Sequence, residues 1–300
     1  MVDMSDELIA PGHRTCAGCG SILAARHMLK ATGRDVIICE STGCLEVTST
    51  QYPLTSWKVP WIHVLFENAV SVAVGVKAAL EAQDNEHTQV IAFGGDGGIV
   101  DIGFGAVSGA LERNDDIMIV TYDNEAYANT GMQRSGATPF GASTSTSPAG
   151  IVSIGKRAWK KNVPMIAVAH GAGYVASASI AYPKDLQDKI KKAMSIKGAR
   201  YIHIHTPCPV GWGFDSSKTI EVGRLAVQTG MWILFEIEDG KFKKTYVPAE
   251  LKSIEEYLKM QNRFKHLKEN EIKIIQDHIN QTWKELDVLE KSGVNLRTIL

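Results

Sequence analysis

The sequence predicts an α/β fold, with a mostly parallel sheet flanked by helices and a helical C-terminal extension. Two observations predict it. Short apolar runs alternate with longer segments of helical period over the first 240 residues, and a charged, polar segment of helical character follows them. Such alternation is typical of parallel strands joined by helical crossovers. We therefore expect one domain over residues 1–248 and an extension over residues 249–300.

The individual elements follow from composition and from terminal signals. Runs rich in branched and aromatic residues predict strands, at 36–39, 89–93, 117–122, 200–205 and 232–238. Helical periodicity predicts helices at 21–32, 68–82, 102–113, 183–197 and 219–229. Asn68 stands where a helix N-cap is expected, and Pro183 stands in the first turn of the helix it opens. Residues 128–150 are rich in Gly, Ser and Thr and are long for a loop, which predicts a functional loop.

The bulk composition narrows the classes of function. A formal net charge of −1 gives no support for binding to nucleic acid or to a membrane surface. The apolar stretch 69–80 is too short to span a membrane, and the N-terminus lacks the apolar segment of a secretory signal, so a cytoplasmic protein is expected. The tail over 251–292 shows no chemical motif, and we expect it to pack on the domain or on a partner.

A glycine-rich turn follows the second predicted strand. Gly94-Gly95-Asp96-Gly97-Gly98 leads into a helical segment. Glycine lets the backbone approach a phosphate group closely, and the start of a helix offers unpaired N–H groups. Asp96 is an oxygen donor suited to Mg²⁺, and Asn124 follows the next strand. Because adjacent parallel strands end at the same edge of a sheet, Asp96 and Asn124 are expected to meet.

This arrangement resembles the thiamine-diphosphate motif, in which GDG is followed further along by a pair that ends in Asn. The pair here is Asp123-Asn124, where many members have Asn-Asn. The resemblance implies that the Asp96 and Asn124 side chains and the Ala126 carbonyl bind Mg²⁺. It also implies that the cofactor lies against Gly95, Gly97 and Gly98. GDG alone is a weak signal, and the second strand with Asn124 is what strengthens it.

The chain has five cysteines, and an odd number without a secretory signal argues against a disulfide framework. Cys16 and Cys19 form a C-x-x-C, and Cys44 and Cys208 each stand beside Gly or Pro. Four such thiolates suit a structural Zn²⁺ or an Fe–S cluster, and their spacing does not separate the two. Inert buried thiols are a third interpretation, which applies best to Cys39 in its apolar run.

Seven longer segments together resemble one known family. They are CAGCG, STGCLE, PWIHVLFENAVSVAVG, GGDGG, YDNEAYANTGMQRSGATPFGA, YIHIHTPCPVGW and RLAVQTG, spread over residues 10–240. Their combination and order resemble the β subunit of pyruvate:ferredoxin oxidoreductase, in the 2-oxoacid:ferredoxin oxidoreductase family. The resemblance implies the diphosphate-binding half of a thiamine site. It implies one 4Fe–4S cluster bound by Cys16, Cys19, Cys44 and Cys208, with Cys44 also beside the cofactor and Cys39 left out. It further implies that Asn129 contacts the substrate-derived adduct on the thiazolium ring.

The resemblance also implies the reaction and the partners. The reaction is oxidative decarboxylation of a 2-oxoacid, most simply pyruvate, with coenzyme A as acyl acceptor and ferredoxin as electron acceptor. An α subunit would supply the pyrimidine-binding half-site, beside γ and ferredoxin-like δ subunits. Another 2-oxoacid (branched-chain, 2-oxobutyrate or oxalate) stays open, since Ala128 replaces a common Met. A non-redox thiamine decarboxylase subunit and a zinc-stabilised binding subunit also stay open.

Other charged residues receive structural interpretations. Glu67 precedes a helix N-cap, where its charge favours the helix dipole, and Glu125 lies in the magnesium loop. Direct proton transfer is the less favoured role for both. A basic run contains Lys156, Arg157, Lys160 and Lys161. It could contact coenzyme A phosphates or an acidic ferredoxin, but a solvated surface loop is the favoured interpretation.

Overall fold

An eight-stranded sheet forms the centre of the part of the chain that the computed structural model describes, residues 7–298. The strands are β1 (Val36–Ser41), β2 (Trp61–Val64), β3 (Gln89–Gly95), β4 (Met118–Asp123), β5 (Tyr174–Ser179), β6 (Arg200–His205), β7 (Phe235–Glu238) and β8 (Lys241–Lys244). Their order across the sheet is β2-β1-β3-β4-β6-β5-β7-β8. The first six are parallel, whereas β7 pairs antiparallel with β5 and with β8. The predicted mostly parallel sheet is therefore confirmed.

Helices cover both faces of this sheet. They are α1 (Gly20–Thr32), α2 (Cys44–Ser49), α3 (Ala69–Glu81), α4 (Phe104–Glu112), α5 (Val163–Ala169), α6 (Pro183–Met194), α7 (Pro209–Trp212), α8 (Thr219–Gln228), α9 (Ile254–Lys259) and α10 (Glu269–Ser292). Side chains alternate along β3, so Ile91 packs with α1 and α6 while Val90 packs with α3, α4 and α5 on the other face. An apolar core therefore lies on each face of the sheet, as is usual for parallel sheets.

The structure corrects several of the predicted element bounds. The helix predicted at 102–113 starts at Phe104, because one π-helical turn, Gly97–Ile102, comes before it. The helix predicted at 183–197 ends at Met194, and Pro183 is its first residue as predicted. Asn68 occupies the N-cap position of α3, but its side chain makes no capping hydrogen bond. The predicted 232–238 strand shortens to Phe235–Glu238.

The C-terminal extension packs on the sheet domain through an apolar cluster of its own. Ile279 and Trp283 of α10 lie with Trp212 and Trp232 of the domain in this cluster. Lys244 at the end of β8 adds ion pairs to Asp287 and to Glu290, the latter at 3.1 Å. The predicted helical extension is thus confirmed, and it shares its core with the sheet domain. In residues 7–298 we find no helix with the length and apolar character needed to cross a membrane.

Candidate active site

The carboxyl ends of β3 and β4 meet at one edge of the sheet. Gly95, the last residue of β3, is paired with Tyr122, the penultimate residue of β4. A cavity of about 180 Å³ opens at this edge. Seven residues expected at the site line it: Cys44, Gly95, Asp96, Gly97, Asn124, Ala126 and Asn129. Gly98 is not among the lining residues, whereas Phe66, Tyr122 and Tyr127 line the cavity without having been predicted.

Three polar groups converge on one point of this cavity. One atom of the Asn124 side-chain amide lies 2.7 Å from the carbonyl oxygen of Ala126 and 3.2 Å from Oδ1 of Asp96. If that atom is nitrogen, it donates to both oxygens. If it is oxygen, three oxygens face one another, as the ligands of a cation do. Adjacent ligands in a Mg²⁺ octahedron stand about 2.9 Å apart, given metal–oxygen distances of 2.0–2.1 Å, and the observed separations bracket that value.

The environment of Asp96 is also suited to a cation. The side chain is 1% exposed, and its Oδ2 accepts a hydrogen bond from Ser135 Oγ at 2.5 Å. Burial raises the pKa of this carboxyl well above its usual range, and the nearby charge of Asp123 raises it further. A divalent cation beside Oδ1 would reverse this preference, because it favours the ionised carboxylate. The donor set therefore fits Mg²⁺.

Glycine is required at the turn itself. A Cβ on Gly97 would lie 2.6 Å from the Tyr127 ring and 2.8 Å from the Phe66 ring. A Cβ on Gly98 would lie 2.8 Å from the carbonyl oxygen of Phe66. Tyr127 is fixed in this position by a 3.0 Å hydrogen bond from its hydroxyl to Asp101. The wall of the cavity thus approaches the backbone of the turn too closely for any side chain there.

Three hydrogen bonds hold the backbone of the loop after β4, residues 124–126. Asp123 Oδ1 accepts the N–H of Glu125 at 2.8 Å, and Thr138 Oγ1 donates to the Glu125 carbonyl at 2.6 Å. Trp212 Nε1 donates to the Asn124 carbonyl at 2.8 Å. Glu125 itself has φ +65°, in the left-handed region that residues other than glycine seldom adopt. The conformation that presents Asn124 and Ala126 to the cavity is therefore imposed by the surroundings.

A buried ionic cluster lies behind this loop. Lys160 contacts Asp123 at 2.9 Å and Glu125 at 2.7 Å, and Arg263 contacts the other oxygen of Glu125 at 2.6 Å. His203 Nε2 lies 2.8 Å from Asp123 Oδ2. Burial acts to raise the pKa of the Glu125 carboxyl, but the charges of Lys160 and Arg263 outweigh it and hold that pKa below its usual range.

This cluster corrects the expectation of a solvated basic run. Lys156 is buried and donates to the carbonyls of Gly136 and Thr138, and burial lowers its pKa to about 8. Lys160 is half-buried between two carboxylates, and Lys161 pairs with Asp101 at 2.8 Å. Arg157 alone of the four is exposed, as expected.

Neither Glu67 nor Glu125, the two carboxylates considered for proton transfer, lines the cavity. Glu67 is exposed just before α3. The Glu125 carboxylate is bound by Lys160 and Arg263. The structural interpretation of both residues agrees with these positions.

The fold returns the segment of Cys208 to the N-terminal C-x-x-C. Thr219 Oγ1 donates to the Gly18 carbonyl at 2.6 Å, and a Cβ on Gly20 would lie 2.8 Å from the Pro207 carbonyl oxygen. Cys19 immediately precedes α1, and Cys208 immediately precedes α7. Residues 206–219 therefore pack directly on residues 18–20, although about two hundred positions separate them.

The thiol pKa values indicate which cysteines are neighbours. Burial, with smaller contributions from Cys208, Cys19 and Cys16, raises the pKa of Cys44 to about 12. Burial, with smaller contributions from Cys19 and Cys16, raises the pKa of Cys208 to about 11. Cys39 is fully buried in β1, and burial is the one cause that raises its pKa to about 12. The charges of Cys16, Cys19, Cys44 and Cys208 thus influence one another, whereas none of them contributes to the pKa of Cys39. Within residues 7–298, no three His, Cys, Asp or Glu side chains are arranged to hold a single metal ion.

Several residues of the site had no signal, or only a diffuse one, in the sequence. Ser135 and Thr138 lie in the 128–150 segment that loop length and composition mark as functional. Nothing in the sequence marks Trp212 as a site residue, although its indole N–H donates to the Asn124 carbonyl. Arg263 belongs to the tail in which no chemical motif is visible, and nothing local in the sequence points to Glu125 as its partner.

Comparison with known proteins shows the family to which the chain belongs. Residues 41–204 match the family described as thiamine pyrophosphate enzyme, C-terminal TPP binding domain. The chain is 54% identical to pyruvate synthase subunit PorB of Methanothermobacter marburgensis, over 94% of this chain and 98% of that protein. It is 41% identical to ketoisovalerate oxidoreductase subunit VorB of Pyrococcus abyssi, over 95% of this chain and 94% of that protein.

A solved structure shares the fold. It is a 2-oxoglutarate:ferredoxin oxidoreductase from Magnetococcus marinus with 2-oxoglutarate, coenzyme A and succinyl-CoA bound. The TM-score is 0.56 and the identity 24%, with 75% of this chain and 81% of that chain covered. At this identity the likeness concerns the fold alone.

Proposed function

Because the chain belongs to the family of pyruvate synthase subunits named PorB, within the thiamine-pyrophosphate enzymes, we propose that it is the catalytic, thiamine-diphosphate-binding β subunit of a pyruvate:ferredoxin oxidoreductase. The enzyme is an oxidoreductase that converts a 2-oxoacid and coenzyme A into acyl-CoA and CO₂, and two electrons leave through an iron–sulfur centre. The observation that carries the proposal is the convergence of Asp96, Asn124 and Ala126 at the cavity.

The role of the chain at the cofactor is to bind and to orient. Asp96, Asn124 and the Ala126 carbonyl hold Mg²⁺, which neutralises the charge of the diphosphate. Gly95, Gly97 and Gly98 let the backbone approach the phosphate groups. When bound, thiamine diphosphate supplies the nucleophilic carbon and the electron-accepting ring that allow a 2-oxoacid to lose CO₂. Asn129, on the cavity wall, contacts the substrate.

The thiols of Cys16, Cys19, Cys44 and Cys208 hold one 4Fe–4S cluster. Zinc is redox-inactive and would have no role in accepting the electrons released at the thiamine site. A 4Fe–4S cluster bound by four thiolates would supply that role. Cys44 lines the cavity, which supports a cluster beside the thiamine site; bound there, it would supply the one-electron chemistry that links the thiamine site to ferredoxin.

The remaining parts of the enzyme belong to other subunits. Residues 7–298 form one sheet domain with a helical extension, which accounts for the diphosphate-binding half of a thiamine site. An α subunit provides the pyrimidine-binding half, and γ and ferredoxin-like δ subunits complete the complex. Pyruvate is favoured as the substrate because the identity to the PorB relative, 54%, exceeds the 41% to the ketoisovalerate relative.

The test is reconstitution of the complex under anaerobic conditions. We expect pyruvate- and coenzyme-A-dependent reduction of a low-potential dye, with bound thiamine diphosphate, magnesium and iron. Asp96→Ala should lose the cofactor and the activity but keep the iron. The matched control is Asp188→Ala, which removes an exposed carboxylate paired with Lys184 and should retain both.

The same experiment separates the alternatives. Release of CO₂ from pyruvate without coenzyme A or an electron acceptor, from a protein without iron, would point to a non-redox decarboxylase subunit. Zinc in place of iron, with Asp96→Ala indistinguishable from wild type, would point to a zinc-stabilised binding subunit.

A further inference from the structure

The C-terminal extension reaches the loop that carries two of the proposed magnesium ligands. Arg263 stands between α9 and α10, and its guanidinium lies 2.6 Å from the Glu125 carboxylate. The two residues are 138 positions apart in the chain. Both side chains are buried, Glu125 to 2% exposure and Arg263 to 6%. This ion pair therefore lies in the interior, where its geometry is fixed.

The guanidinium is itself held in place from two further directions. Its carbon lies 3.7 Å from the centre of the Trp212 ring, and its Nε donates to Gln261 Oε1 at 2.8 Å. Trp212 in turn donates its indole N–H to the carbonyl of Asn124. Arg263 thus supports the loop in two ways. It pairs directly with Glu125, and it stacks on Trp212, which donates a hydrogen bond to Asn124.

The loop needs such support because its backbone is strained. Glu125 has φ +65°, and a left-handed conformation costs a residue with a Cβ free energy that the surroundings must supply. Lys160 holds the other carboxylate oxygen at 2.7 Å and also pairs with Asp123 at 2.9 Å. With both oxygens of Glu125 bound, the residue cannot turn without breaking an ion pair in which its own carboxylate is buried.

We propose that Arg263, together with Lys160, is a positioning residue for the metal: by fixing Glu125 it holds the neighbouring Asn124 side chain and Ala126 carbonyl towards Asp96. The inference rests on the proposed function, because it takes these three groups to be the magnesium ligands. It gives the extension, in which no chemical motif is visible, a part in cofactor binding. Groups that orient metal ligands typically change metal affinity by about 10–100-fold when they are removed.

The experiment measures Mg²⁺ binding directly in the assembled complex. Calorimetric titration of Mg²⁺, with thiamine diphosphate present and no substrate, gives the affinity without any catalytic readout. We expect Arg263→Gln to weaken Mg²⁺ binding by about tenfold or more. The Mg²⁺ concentration for half-maximal activity should rise by a similar factor, while kcat at saturating Mg²⁺ falls much less. Arg263→Lys, which keeps the charge but loses the planar fork, should lie between Arg263→Gln and wild type.

The matched control, Lys244→Gln, removes different ion pairs between the extension and the sheet. Lys244→Gln removes the pairs to Asp287 and Glu290 of α10, which involve neither Arg263 nor Glu125. It should lower the melting temperature and leave the Mg²⁺ affinity unchanged. If Lys244→Gln weakens Mg²⁺ binding as much as Arg263→Gln does, the effect comes from loosened docking and the inference is overturned.

The remaining outcomes separate this inference from the proposed function. Wild-type affinity in Arg263→Gln, with binding abolished in Asp96→Ala, overturns the positioning role and leaves the proposed function standing. Wild-type affinity in Asp96→Ala overturns both. If the Arg263→Gln chain does not assemble into the complex, the Mg²⁺ affinity of Arg263→Lys is the deciding measurement. Wild-type Mg²⁺ affinity in Arg263→Lys would then overturn the inference.

Discussion

Cys39 and Cys208 are both thiols next to apolar residues, but their surroundings differ. Cys39 lies inside β1 with no exposed surface, while Cys208 precedes α7 beside the N-terminal C-x-x-C. We predict that Cys208→Ser loses iron and electron-transfer activity, because a missing thiolate exposes one iron of the cluster. Iron and sulfide analysis of the anaerobically purified complex measures this.

Cys39→Ser is the matched control for that prediction. It should keep its iron and lose about 1–3 kcal/mol of stability, since a hydroxyl is introduced into an apolar interior. Loss of the cluster in Cys39→Ser with retention in Cys208→Ser would show that the ligand set is wrong.

Glu40 is a buried carboxyl that neither the proposed cofactor site nor the proposed metal sites use. Its Oε2 accepts a hydrogen bond from Trp61 Nε1 at 2.7 Å, and in the described part of the chain its Oε1 has no partner. Burial raises the pKa of this carboxyl well above its usual range, although the bond from Trp61 opposes the shift. Burial therefore favours the neutral form of the Glu40 carboxyl in the folded chain.

A raised pKa in the folded state makes stability fall as pH rises. The unfolded chain loses the Glu40 proton above about pH 4.3, while the folded chain keeps it up to its higher pKa. Glu40→Gln cannot ionise and avoids this loss. We predict that the stability of the variant relative to wild type increases as the pH rises above about 4.3, by up to about 1.4 kcal/mol per pH unit, until the pH reaches the raised pKa of the folded state. Urea unfolding of the isolated chain across this range tests it, and a pH-independent difference would contradict the assignment.

At the scale of elements, the π-helical turn between β3 and α4 depends on Gly103. A Cβ there would overlap the carbonyl oxygens of Gly98 and Glu67, which are both backbone atoms that cannot move alone. We predict that Gly103→Ala costs about 1–3 kcal/mol, as overpacking does. It should also weaken thiamine diphosphate binding, because the turn that contains Gly97 and Gly98 must shift. Thermal unfolding and cofactor titration provide the measurements.

Gly105 is the matched control, two residues later in α4. It is exposed, and a Cβ there would meet nothing within 4 Å. Gly105→Ala should therefore stabilise the isolated chain by about 0.5–1 kcal/mol through helix propensity. Equal destabilisation by both substitutions would indicate that α4, and not the turn, is sensitive.

The elements that sequence predicts and those that it misses differ in composition. β3 and β4 are runs of branched apolar residues buried on both sides, and their period and length identify them. β5 reads YVASAS and β8 reads KFKK, and neither carries enough β-branched residues to be distinguished from loop. β5 is a strand because β6 and β7 pair with it on either side, which only the assembled sheet provides.

The site shows the same division at the scale of the whole molecule. Asp96 and Asn124 were predictable because each follows a strand and parallel strands share an edge. The burial of Lys160 was not predictable, because its partners Asp123 and Glu125 lie 37 and 35 positions away and the local sequence reads as a charged surface run. Contacts of this separation depend on the complete fold. Local pattern therefore points to the proposed ligands, and tertiary packing determines what holds them.

At the scale of the whole molecule, the proposed function assigns the chain the diphosphate-binding half of a thiamine site, so its activity should depend on a partner. Residues 7–298 contain one mostly parallel sheet, and the proposed diphosphate–magnesium site lies at its carboxyl edge. Activation of thiamine also needs a carboxylate at the pyrimidine ring, and neither Glu67 nor Glu125 is placed to provide one. We predict that the purified chain gives no pyruvate-dependent dye reduction, and that adding the pyrimidine-binding subunit restores it. The Asp96→Ala chain with the same partner should stay inactive, which excludes turnover by the partner alone. Full activity of the isolated chain would mean that it contains a complete thiamine site.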